Sequence, residues 1–217
     1  MQPITVLLAM LDGSRIGATS SVTPIAVLGV VHDLPQAMAA IVEQLPDVIV
    51  LDRALLPGVT VLAAAAWVRR HAPTSRLLVV ASDDDTTYEA LVSGASSVVD
   101  PAGESDVADA AAACARGESQ IGPHCAHRLV TDLPMTADTH HLFGTVRLTL
   151  VEHEILSRLA RGASIPAIAE DHDVTPRLVR LHIGYAVAKR QLHAAQVLET
   201  ADGGAYAVGT LAVDAEG

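Results

Sequence analysis

Lysine is almost absent from this chain of 217 residues, which has one, Lys189, against thirteen arginines. Aromatic residues make up 2%, so any core must be built from aliphatic side chains. Two cysteines, Cys114 and Cys125, are too few for a disulfide framework, and a reduced cytoplasm is the expected compartment. No apolar run approaches the ~20 residues that a spanning helix needs. The opening MQPITVLLAML lacks a basic region and does not read as a signal peptide, so no membrane partner is expected. An excess of positive charge is missing too: the net charge is −11, which excludes a protein that coats nucleic acid nonspecifically. VLGVVHD lacks the Gly-x-Gly-x-x-Gly of a dinucleotide site, and no Ser/His/Asp or Cys/His nucleophile pattern stands out. The expectation is a protein that is not an enzyme and holds no cofactor and no metal.

Half of the residues are apolar and 18% are charged, enough to bury real cores. Charge is unevenly spread. Residues 1–122 carry fourteen acids and six basic residues, 148–200 carry six of each, and 201–217 is net −3. Positions 174–198 hold Arg177, Arg180, Lys189 and Arg190 with no acid. One basic stripe in an acidic protein suits a specific DNA reader.

Apolar runs at Ile4–Leu8, Ile25–Val31, Val48–Leu51, Leu77–Ala81 and Val98–Val99 read as buried strands. Stretches of helical period lie between them, at roughly 34–44, 59–71, 86–93 and 104–117. Such alternation predicts an α/β fold: a doubly wound, parallel, five-stranded sheet. Residues 123–147 are a linker with a short helix opened by Pro123. From Leu148 the pattern is helical only, giving an all-α domain over 148–200. Thr149 and Glu152 form a capping box, Gly162 stops that helix, Ser164 caps a second, and Thr175-Pro176 opens a third to about Leu192. Two short helices, a tight turn and a longer basic helix are the layout of a helix-turn-helix. The tail, 201–217, carries Asp-Gly-Gly between β-like runs and suggests a hairpin.

Residues 148–192 resemble, without a gap, the LuxR-type helix-turn-helix of the NarL/FixJ response regulators. The resemblance rests on the opening Leu-Thr, Glu152, Glu154, Ile155-Leu156, Gly162, Ile168-Ala169, Val174-Thr175, Val179-Arg180, His182 and Lys189. It implies a third helix that enters the major groove of double-stranded DNA, in a homodimer, using Thr175, Arg177, Arg180, Leu181, His182, Tyr185 and Lys189. Arg180 and Leu181 would face base edges, while Arg177, His182 and Lys189 would lie near the backbone. Gly184 stands where some members carry a second base-reading lysine. Residues 1–122 resemble the receiver domain of the same family through PDVIVLDRALLPG, SGASSVV and IGPHCAHRLVTDL.

That resemblance makes Asp52 the counterpart of a phosphoacceptor, but its usual helpers are missing. A receiver supplies two acids after its first strand, a Ser/Thr after the fourth and a Lys after the fifth. Here those places hold Met10 and Leu11 (with Asp12 one position late), Ala81 (with Ser82 next) and Asp100. With the one lysine far away, no register supplies the receiver lysine. Asp52 is therefore expected to be a vestigial strand-end carboxylate hydrogen-bonded to nearby amides. The atypical receiver resembles the RedZ-like orphan regulators of actinomycete antibiotic clusters. The more apolar strand-end site of Met10, Leu11, Asp12, Ala81, Ser82 and Asp100 could take a small pathway product. Two other readings stay open: a conventional phosphorylation-switched regulator, and an interaction partner that no longer reads DNA. HCAH at 124–127 with His140 and His141 has poor zinc spacing, and Asp83–Asp85 suits a solvated loop or a helix N-terminus better than a metal site.

Overall fold

The computed structural model describes residues 2–11, 24–100, 107–136 and 146–201. Five strands, β1 (Ile4–Ala9), β2 (Ile25–Val31), β3 (Val48–Asp52), β4 (Arg76–Val80) and β5 (Ser97–Val99), form one parallel sheet. Their order is β2-β1-β3-β4-β5, a doubly wound arrangement. Crossovers run through α1 (Leu34–Gln44), α2 (Val61–His71) and α3 (Asp84–Ser93), and α4 (Val107–Ala115) follows β5.

β1, β3, β4 and β5 are largely buried, and the period of two divides their side chains between two cores, whereas β2, expected to be buried, is an edge strand that leaves Val27, Leu28 and Val30 exposed. Leu7, Ala9, Ile49, Leu51, Leu77 and Val79 face the side covered by α1, α2 and α3. Val6, Leu8, Val48, Val50, Leu78 and Val80 face α4, which answers with Val107, Ala110, Ala111 and Cys114. Fully burying each large aliphatic side chain contributes roughly 1.5–3 kcal/mol. Helix starts are fixed locally. Asp33, Thr60 and Asp83 each accept a hydrogen bond from the amide three residues on. The carboxyl of Asp83 is held below the usual carboxylate range, chiefly by the Thr86 hydroxyl and then by the Thr86 amide. Asp83–Asp85 is thus the cap and first turn of α3. Gly94, at φ +123°, ends α3, and Arg69 from α2 donates to Ser93 O at 2.6 Å.

The remaining helices are α5 (Pro123–Asp132), α6 (Leu150–Ala160), α7 (Ile165–Asp171) and α8 (Pro176–Ala201). The Thr149–Glu152 capping box is complete, and Ser164 caps α7. Asp173, at φ 52°, turns the chain from α7 into α8. Ile155, Leu156, Ile168, Val179, Ile183 and Val187 bury the three-helix unit, and α5 joins it through Ala126 and Leu129. The expected end of α8 near Leu192 is corrected: the helix continues to Ala201. Residues 193–201 are mostly helix formers with no glycine or proline to stop them. The expected tail hairpin, the connection 12–22 and His140 and His141 lie outside the described residues. Among the described residues no helix is long and apolar enough to cross a membrane.

Candidate nucleic-acid interface and strand-end site

At the C-terminal ends of the strands, Asp52 is half-buried and its Oδ1 accepts a hydrogen bond from the Ala54 amide at 2.9 Å. It caps a 3-10 turn, Arg53–Leu55, whose Arg53 donates to Leu56 O at 2.8 Å. The described positions of the expected strand-end site are divided between the two faces of the sheet. Met10 belongs to the core on the α4 face and Ala81 to the core on the other, because strand side chains alternate. Leu11 is 57% exposed, and Ser82 and Asp100 are exposed as well. Asp12 lies outside the described residues. His32 contributes a ring nitrogen 2.8 Å from Met10 O. An apolar cavity does exist elsewhere, between α1, α2 and the sheet, lined by Leu34, Met38, Ile41, Leu51, Trp67 and Val68 among others. Trp67 stacks on His71 with centroids 4.3 Å apart.

On α8, Thr175 accepts from the Leu178 amide and so opens the helix. Arg177 is exposed, while Arg180, Leu181, His182 and Tyr185 are half-buried. The His182 and Tyr185 rings meet edge-on, 6.0 Å apart. Lys189 departs from the expected backbone-facing role. It is 3% exposed and donates to Glu152 Oε2 at 2.7 Å, locking α8 to α6. An amphipathic helix buries one face, and the spacing of Lys189 with Val179, Ile183 and Val187 brings it close to that face.

The expected reading face also meets the receiver-like unit. The Ser119 amide donates to Arg180 O at 3.1 Å. Glu118, 1% exposed, accepts from Arg116 Nε at 2.6 Å and lies 3.2 Å from Arg177 Nε. Farther along, Gln191 Nε2 donates to Leu91 O and Ala95 O at 2.8 and 2.9 Å, at the C-terminus of α3. The Tyr88 hydroxyl donates to Asp132 at 2.5 Å and accepts from Arg190 Nε at 3.0 Å. Arg128 lies over the Tyr88 ring, 4.4 Å from its centroid. Burial, followed by the hydrogen bond to Asp132, pushes the Tyr88 phenol up to about 12. None of these contacts forms a sequence motif; the one visible sign was Gly184 in a helix interior.

Both cysteines are buried and free, and burial pushes the Cys114 thiol up to about 12. His124 lies 3.9 Å from Asp84. No group of three or more His, Cys, Asp or Glu side chains is placed to share a metal ion among the described residues.

No family model matches the chain. Among curated proteins, it is 31% identical over 160 residues to a probable transcriptional regulatory protein NarL of Mycobacterium tuberculosis, covering 72% of each chain. It is 27% identical over 184 residues to the response regulator VraR of Staphylococcus aureus, covering 82% of this chain and 85% of that one. Among solved structures, RcsB of Salmonella typhimurium aligns over 92% of this chain and 100% of its own, with 17% identity and a TM-score of 0.49. The likeness to the mycobacterial protein runs through most of both chains, and this chain belongs to the NarL/FixJ type of response regulators.

Proposed function

We propose that the chain is a cytoplasmic, sequence-specific transcriptional regulator that binds promoter DNA as a homodimer and works without phosphorylation. One observation carries the DNA reading. A capped, tightly turned three-helix unit presents Arg177, Arg180, Leu181 and Tyr185 on one long helix. Arg180 and Leu181 read base edges, and Arg177 positions the helix on phosphates. Residues 1–122 act as an atypical receiver, 123–147 as the connection and 148–200 as the DNA-binding domain.

Independence from phosphorylation is supported by the strand-end chemistry. Phosphoryl transfer to Asp52 would need a metal held by acids and a cation on the phosphate oxygens. The corresponding places hold Met10, Leu11, Ala81 and Asp100, and the one lysine is sequestered with Glu152. Gating by a small apolar product of a secondary-metabolic pathway, with control of that pathway's genes, fits this arrangement. The lined cavity between α1 and α2 is a second candidate place for that ligand beside the strand ends.

Selection of duplexes from a random library by the untreated protein tests the main reading. Enrichment of a two-fold site with no phosphodonor present is expected. Retention of nothing, with or without a phosphodonor, would overturn it.

A further inference from the structure

The walls of the cavity between α1 and α2 are apolar, and two of them, Met38 and Trp67, are half-buried rather than buried. Met38, Val42 and Leu45 follow at helical spacing along α1 and its cap. Val42 and Leu45 are 50% and 54% exposed. The cavity thus continues as an apolar groove toward the end of α1, and such a surface strip marks a docking site. Charge and apolar pattern say what fits it. Residues 205–213 read AYAVGTLAV, a run without charge, flanked by Asp202 before it and by Asp214 and Glu216 after it. Beside the groove, α2 ends on Arg69, Arg70 and His71, and His71 stacks on Trp67. Basic residues are scarce in 1–122, six against fourteen acids, so this turn is a place where acidic flanks meet opposite charge. Reach agrees. The crossover helices α1, α2 and α3 return against the parallel strands, so their C-termini share one end of the sheet. There Gln191 of α8 donates to Leu91 O and Ala95 O, and Arg69 of α2 donates to Ser93 O. From Gln191 the helix runs on to Ala201, about 15 Å. Residues 202–217 can extend over about 50 Å, and neighbouring helices lie about 10 Å apart. The tail has the length to reach the groove.

We propose that the groove between α1 and α2 is the docking site of the chain's own C-terminal tail, with residues 205–213 laid along it and Val208 and Leu211 supplying apolar contacts. The inference goes beyond the DNA-binding reading and does not depend on it. Docking removes apolar surface from water on both partners, which drives it. A small apolar ligand of the cavity would compete with the tail for the same walls. Trp67 is the only tryptophan of the chain and lines the cavity, so its fluorescence reports whether the groove is filled.

The test compares the full chain with the same chain carrying Val208→Asp and Leu211→Asp, by Trp67 emission and acrylamide quenching, with no duplex present. A carboxylate is costly against apolar walls, so the doubly substituted tail should leave. Emission should shift to the red, and quenching should rise about twofold or more as the site opens. Val208→Ile with Leu211→Met keeps the apolar character and should leave both readings at wild-type values. Leu45→Asp, at the exposed rim of the groove, should reproduce the shift, whereas Leu150→Asp, at an exposed apolar position on α6, should not. Adding Leu45→Asp to the tail variant should change nothing further, because groups in contact are not additive. Dilution of the wild type should leave its emission constant, as a contact within one chain requires. Unchanged emission in the tail variant would overturn the proposal, and so would additive shifts from tail and rim. Wild-type emission that reddens on dilution would overturn the assignment to the same chain and point to exchange of tails between copies.

Discussion

Lys189 Nζ and Glu152 Oε2 lie 2.7 Å apart with both side chains buried, so the only lysine of the chain joins two helices of the DNA-binding unit. Glu152 also accepts from the Thr149 amide through its capping box. One carboxylate thus fixes the start of α6 and the position of α8 together. Removing one partner of a buried pair leaves an uncompensated charge, at a cost of about 3–5 kcal/mol. Lys189→Met should destabilise the full chain by that order in urea unfolding. Lys189→Met with Glu152→Gln should lose clearly less, because no lone charge remains. Equal losses in the single and double variants would mean that the pair contributes no coupling.

The Tyr88 phenol should be separable from the other two tyrosines. Its hydroxyl donates to Asp132, and its ring is packed under Arg128. Ultraviolet titration of the folded protein should show one phenol ionising near 12, against about 10 for an exposed tyrosine. Tyr88→Phe should abolish that late step. The sign for stability follows from linkage. The folded form holds the proton more tightly, so the contribution is complete below pH ~10 and is lost as pH rises toward ~12. A late step that survives in Tyr88→Phe would assign the raised phenol elsewhere.

Asp52 should remain unmodified by small phosphodonors with Mg²⁺. Its Oδ1 is engaged by the Ala54 amide, and Asp100, at the place of the receiver lysine, adds charge of the same sign as a phosphoryl group. Intact mass spectrometry after treatment checks this directly. A species heavier by ~80 Da, the mass of one phosphoryl group, and mapped to Asp52 would restore the conventional switch.

How legible all this was depended on range along the chain. The apolar run Val48–Leu51 is buried and so announces its strand, and the caps Thr149 and Ser164 sit within three residues of their partners. The face of α8 was harder. Lys189 belongs to the same basic stripe as Arg177 and Arg180, and composition alone cannot separate a buried cation from an exposed one. Its partner Glu152 is 37 residues away. The contacts of Arg190 with Tyr88 and of Gln191 with Ala95 span about a hundred residues and follow no period. At the strand ends, Met10 and Ala81 are sent to opposite sides of the sheet by strand register, which residue type alone does not reveal.

Arg180 offers the sharpest separation between a DNA reader and a partner protein that has lost that ability. Its hold on the receiver-like loop is through its backbone carbonyl, which accepts from Ser119. Arg180→Ala therefore keeps that contact while removing the guanidinium. If the side chain reads a base, affinity for the selected duplex should fall by about 1–3 kcal/mol, with relaxed preference at one position of the site. Arg177→Ala should behave differently. It removes a phosphate contact, so the salt dependence should fall by about one unit of slope with sequence preference intact. Quantitative binding to the selected duplex and its single-position variants, at several salt concentrations, reads both effects. Wild-type affinity and preference in Arg180→Ala would remove this residue from base reading and favour a role in contacting another protein.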